Sequence, residues 1–234
     1  MSIVTRIFLI TALMAGLGVS AYGDEEATQC KAFIEFLQTR IIDNPGIHVP
    51  ALTEEQMKSF GGYTQDYGIL LRFNDGRDKN VSPRAQQVFH NMMRFPSELA
   101  TRRDNLADAT EGMRSLRTTL DTELTSAGSA HAALKQSDEL KSVYDKAYDK
   151  TVTVRAKTFK EVVFLAFENE IQGLQDFASY LDRHPDAIKI DGTSIRAIDP
   201  KLDRELTGLI DAMLSNAQAI QDAGRKFQAM MQGP

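Results

Sequence analysis

The chain has one cysteine, four histidines, no basic excess and no later apolar run long enough to cross a bilayer. Each shortage excludes something. Cys30 alone closes no internal disulfide; it is left as a free thiol, an intermolecular pair or simply a small residue on a helix face. His48, His90, His131 and His184 are widely spread, and none stands in a Glu-x-x-His pair. The helical di-iron pattern and the His-Glu-x-x-His zinc site are therefore absent. There is no Walker loop, nucleophile elbow or dinucleotide fingerprint. No catalytic residue, metal site or cofactor is named by such a sequence, which reads as non-enzymatic. With 27 basic against 32 acidic residues, it also lacks the positive field that nucleic acid or an anionic membrane surface rewards.

The first 23 residues are built for targeting. Arg6 is the only charge before Asp24, and Ile7 to Val19 is apolar apart from Thr11. That greasy core is about 13 residues, short of the ~20 a spanning helix needs, so a signal peptide is expected rather than a retained anchor. Signal peptidase takes small side chains one and three positions before its cut. Val19/Ala21 and Ala21/Gly23 both qualify, and the second is preferred because Asp24, Glu25 and Glu26 make a soluble start. Cys30 follows Ala27-Thr28-Gln29 instead of a Leu-small-small triplet, so no lipid anchor is expected. The organisation that follows is a signal peptide over 1–23 and one helical domain over 24–234, placed in the periplasm.

What is there is helical periodicity. Phe33, Ile34, Leu37, Ile41 and Ile42 form one amphipathic stripe, ending at Asn44-Pro45-Gly46. Thr53-Glu54-Glu55-Gln56 reads as a capping box for a helix that Gly61-Gly62 weakens and that fades by Asn74-Asp75-Gly76. Ser82-Pro83 is a second start. Leu99, Leu106, Met113 and Leu120 repeat every seven residues, with Leu116 and Leu124 beside them, as in a coiled-coil arm with a weak point at Gly128. Ser137-Asp138-Glu139 caps the next helix, which the β-branched run Thr151–Val154 is expected to interrupt. Phe159 to Leu181 is the expected central helix. Ile188-Lys189-Ile190 and Thr193-Ser194-Ile195 flank an Asp191-Gly192 turn, a hairpin that must lean on the helices. Asp199-Pro200 opens a last helix of roughly 48 Å. The fold class is all-α: an elongated helical bundle with one small β-hairpin near residues 188–195.

Three stretches resemble the YiaF-like envelope proteins of gammaproteobacteria, an uncharacterised family. They are Gln29 to Gln38; Leu52 to Gln56 with Phe60, Asp66-Tyr67 and Ile69-Leu70; and Ala130 to Asp138, continuing through Leu140-Lys141, Val143 and Asp145. The resemblance implies an envelope location but no activity, ligand or catalytic residue. Such relatives are typically lipoproteins whose modified cysteine lies about eight residues before the Lys-Ala-Phe block. Here that position is Tyr22, which has no thiol to alkylate.

Few polar constellations stand out. His90 with Met92 and Met93 suggests a soft copper site but is explained by a Met-rich core face. Arg102, Arg103, Arg114 and Arg117 are interleaved with acids, as on a solvated helix face. Asp66-Tyr67 and His131 with Ser137-Asp138 are the best candidates for a shared polar site, although caps and helix pairing explain them too. The expected function is a protein-interaction module for an unknown envelope protein, with His131, Lys135, Gln136 and Asp138 as partner-binding residues. The alternative is a carrier or sensor of a hydrophobic small molecule, walled by Phe164, Phe167 and Phe177. A filled core with an outer apolar groove favours the first; a continuous apolar cavity favours the second.

Overall fold

Thr53 shows how locally the helices are started. Its hydroxyl accepts from Gln56 N at 3.2 Å, and Gln56 Oε1 accepts from Thr53 N at 2.9 Å, a reciprocal cap that satisfies two orphan donors. Asp199 does the same work before Pro200, accepting from Lys201 N at 2.7 Å and Leu202 N at 3.2 Å. The computed structural model describes residues 24–92, 104–191 and 194–233, the side chains of 77, 78, 89 and 91 excepted. Among the described residues there are five helical stretches and one hairpin.

Helix α1 runs over 24–42 and ends in a π turn, Leu37–Ile42. Helix α2 covers 54–92: Glu54–Phe60, a 3-10 turn Gly61–Tyr63, Thr64–Gly76, a π turn Arg77–Val81, and Ser82–Met92. Helix α3 is Asp104–Ala132 and α4 covers 138–183. Strands β1 (Ile188–Asp191) and β2 (Ser194–Ala197) precede α5, Pro200–Gln232. The break in α2 falls at Gly61, whose φ of 52° is a left-handed value that favours glycine.

Three expected interruptions are not breaks. Thr151–Val154 stays helical inside a π turn, Asp149–Val154. The buried Thr151 hydroxyl donates to Ala147 O at 2.7 Å, and Val152 is fully buried. Burial against the bundle outweighs a propensity cost of a few tenths of a kcal/mol, about. The 138–183 segment is thus one helix, roughly 70 Å long, not a shorter helix beginning at Phe159. At Asn74 the side chain folds back to donate to Leu70 O at 2.7 Å, and the helix passes through the Arg77–Val81 π turn into Ser82. Gly128 also lies within a continuous α3.

The core is aromatic at one end. Phe33 of α1 stacks on Tyr63 at 5.8 Å, and Phe36 meets Tyr67 edge-on at 5.4 Å. Tyr144 of α4 closes this group from the other side, 6.5 Å from Phe33. Further along, Met113, Leu116 and Leu120 of α3 are buried with Phe164 and Phe177 of α4. The heptad stripe is therefore packed into the bundle instead of standing out as an arm; Leu99 lies outside the described residues. Lys150 crosslinks the end of α1, donating to Ile42 O at 3.0 Å and to Asn44 O. A cation on terminal carbonyls complements that helix end.

Helix α5 lies along α4, with Leu206, Met213, Ile220 and Ala223 buried and Leu202, Leu209 and Phe227 partly so. The hairpin is antiparallel, with Ile188 opposite Ala197 and Asp191 opposite Ser194. The two connecting residues are therefore 192 and 193, outside the described residues and one position later than the Asp191-Gly192 turn. It does lean on the helices: Ile188, Ile195 and Ala197 pack on the core, and Ala197 N donates to Asp203 Oδ1 at 3.1 Å. No helix of the described residues is long and apolar enough to cross a membrane.

Candidate functional site

Five residues, 133–137, join α3 to α4, and Ser137 accepts from Leu140 N at 3.4 Å to start α4. The bend brings His131 back over the first turns of α4. Its ring stacks on Tyr148 at 4.1 Å, and Nε2 lies 2.8 Å from Asp145 Oδ1. The other oxygen of Asp145 accepts from Lys141 Nζ at 2.6 Å, one turn earlier on α4. The Lys141 hydrogen bond, with a further one from His131, holds the Asp145 carboxyl below the usual carboxylate range.

A second link reaches α2. Gln136 Nε2 donates to Asp66 Oδ2 at 2.6 Å, and the Tyr144 hydroxyl donates to the Asp66 backbone carbonyl, also at 2.6 Å. Tyr67 donates to Pro50 O at 2.7 Å. Burial pushes both phenols up, so each remains a hydrogen-bond donor. Of the polar groups that the sequence put forward, Asp66 meets Gln136, whereas His131 pairs with Asp145, which was not among them, and not with Asp66 or Asp138. Lys135 and Asp138 stay exposed and make no hydrogen bond or ion pair among the described residues. Tyr144 and Asp145 were missed as partners. Lys141 and Asp145 are legible as a helical pair, but their meeting with His131 depends on the bend.

An apolar groove of about 430 Å³ opens elsewhere, between α2, α4 and α5. Ala85, Phe159, Val163, Phe167, Ile220 and Phe227 make its walls, and Ser82, Gln86 and Gln221 supply uncharged polar groups. Two π turns adjoin it: Phe159–Phe164 contributes one wall and Arg77–Val81 leads into Ser82 on another. Such turns are frequent at functional sites. Of the three phenylalanines expected to wall a cavity, Phe167 lines this groove while Phe164 and Phe177 are fully buried in a filled core.

The remaining candidates separate. His90 is exposed and Met92 buried, on different sides of α2; Met93 lies outside the described residues. Arg114 pairs with Glu111, and Arg117 grips Glu168 of α4 through two bonds of 2.5 and 2.7 Å. Arg102 and Arg103 lie outside the described residues.

A family model described as a protein of unknown function (DUF3053) matches residues 9–228. The uncharacterized protein YiaF of Escherichia coli K12 is 34% identical over 158 residues, covering 66% of this chain and 66% of the relative. The YiaF proteins of Escherichia coli O157:H7 and Shigella flexneri match to the same extent. The match thus spans slightly less than two thirds of the length of these curated relatives. No solved structure matches the chain. A family model covering this much of the sequence places the chain in the DUF3053 family, as a relative of YiaF.

Proposed function

We propose that the chain is an exported, non-enzymatic protein-interaction module of the cell envelope, receiving the apolar face of a partner's amphipathic helix. The observation that supports this reading is the contrast between a filled core at Phe164 and Phe177 and an outer groove of about 430 Å³. A groove between helices accepts the i, i+3, i+4 side chains of another helix. Every described residue lining it is uncharged, so it complements an uncharged helix face and disfavours a charged one. The α3–α4 junction offers a second contact: Lys135 and Asp138 present charge outward while His131 and Gln136 hold the bend. Export rests on the leader pattern over 1–23.

A carrier or sensor of a hydrophobic small molecule is the second reading. The groove's volume falls within the range of small-molecule sites, and its lining is mostly apolar. A photo-crosslinking residue placed at Gln221, and separately at Lys135, separates the two in intact cells. A protein adduct at Gln221 that is lost in the Ile220→Glu background supports helix docking. A lipid or small-molecule adduct there transfers the groove to the carrier reading. An adduct at Lys135 alone moves the binding surface to the junction, and none at either position removes both.

A further inference from the structure

Glu170 lies on α4 one turn beyond Phe167 of the groove, and only 3% of its surface is exposed. Its Oε2 has no hydrogen-bond partner among the described residues. Ala166, Phe167 and Leu174, its neighbours at helical spacing, are buried and apolar. An unpartnered carboxylate in such surroundings is far costlier than the neutral acid. Burial alone pushes the Glu170 pKa up from 4.5 to about 7.

Among the described residues, the charged groups on the neighbouring helices are directed elsewhere. Glu168 of α4 holds Arg117 of α3, Arg114 pairs with Glu111 on α3, and Arg225 pairs with Asp222 on α5. His90 of α2 and Asp211 and Lys226 of α5 are exposed. At this level α5 presents buried Met213 and Ile220, and Asn216 Nδ2 donates to Asn169 O at 3.1 Å.

We propose that Glu170 is a proton-operated joint on α4 beside the groove: protonated, it stays packed among its apolar neighbours; ionised, it draws in water and loosens the groove wall that carries Phe167. The inference takes the groove from the reading above but not its occupant. The sign follows from linkage. The folded chain keeps a proton that the unfolded chain releases near pH 4.5. Its stabilising contribution is therefore full below that pH and is lost as pH rises through about 7.

The test uses the full soluble chain with carbon-13 in its glutamate carboxyls, the Glu170 signal being assigned by its loss in Glu170→Gln. Its midpoint is expected near pH 7. Binding of the uncharged apolar dye Nile red, followed from pH 5.5 to 8.5, is expected to rise about threefold or more in wild type and to stay flat in the variant. A midpoint in the ordinary carboxylate range overturns the proposal, as does an equal dye response in both proteins. Should Glu170→Gln not fold, the wild-type resonance that alone titrates near 7 decides the matter. A failed search for a crosslinked partner leaves this titration untouched, so the two readings fail separately.

Discussion

Gln136 hydrogen-bonds the Asp66 carboxylate at 2.6 Å, tying the α3–α4 junction to a helix 70 residues earlier in the chain. Beside it, Tyr144 donates to the backbone carbonyl of the same residue, so α2 is held by a side-chain and a main-chain contact. Gln136→Ala is expected to lower the unfolding free energy by about 1 kcal/mol, and Lys135→Ala by less than about 0.5 kcal/mol. A double-mutant cycle of Asp66→Ala with Gln136→Ala, read by urea unfolding, should show a coupling of about 0.5–1.5 kcal/mol. Zero coupling would mean that the contact contributes nothing to holding the junction.

The parts of the fold legible in the sequence are those fixed within a few residues. Thr53, Ser137 and Asp199 cap where expected because a cap needs only its own first turn. The hairpin was also legible, but its turn is one residue later, since the register is set by Ile188, Ile195 and Ala197 seating on the helices. The continuity of α4 through Thr151–Val154 was not legible: it rests on burial supplied by distant parts of the chain. His131 and Asp145 stand 14 positions apart across a bend, and no periodicity marks such a pair. Glu170 gave no signal either, because one acid in a helical sequence looks like surface until its neighbours are placed.

Arg117 joins α3 to α4 by gripping Glu168 with two nitrogens, and its guanidinium also lies 5.5 Å from the Phe164 ring centre. The hydrogen bonds that Arg117 donates to Glu168 raise the arginine pKa further. The two side chains are 44% and 36% exposed, so water and salt screen the pair. Arg117→Lys loses the fork and is expected to cost only about 0.5 kcal/mol, shrinking further at high salt. A loss above about 2 kcal/mol that persists in 0.5 M salt would indicate a desolvated bridge instead.

The leader proposal has a direct measurement. Ala21 and Gly23 are the small residues signal peptidase requires, and Tyr22 offers no sulfur for acylation. Intact-mass spectrometry of the native protein should show a chain starting at Asp24 with no acyl adduct. A full-length mass would instead support retention of the apolar segment.

Gly46 is packed where a side chain has no room. A Cβ there would lie 2.5 Å from Met231 O and 2.7 Å from Gln232 C, both main-chain atoms at the end of α5. Main chain gives way less readily than a flexible side chain, so Gly46→Ala must displace that helix end. The expected cost is about 1–3 kcal/mol, with faster amide exchange confined to the last turn of α5 and the loop after α1. Uniformly faster exchange would point to a global loss of stability instead of local release.

The apolar stripe of α5 is unevenly buried, and this sharpens its test. Met213 is 5% exposed and faces α4, whereas Leu209 is only partly buried against the core. An aspartate at a fully buried position must stay charged without a partner or take up a proton, and either costs several kcal/mol, about. At a half-buried position the carboxylate rotates toward water and loses mainly apolar contact. Met213→Asp is therefore expected to unfold the chain at room temperature or lower its Tm by well over about 10 °C, judged from the few degrees each kcal/mol moves a domain of this size. Leu209→Asp should fold and melt only a few degrees early. Circular dichroism melts of both variants compare the two sites directly. Equal, small shifts would mean that α5 rests loosely on the bundle; equal, large shifts would mean that Leu209 is as deeply committed to the seam as Met213.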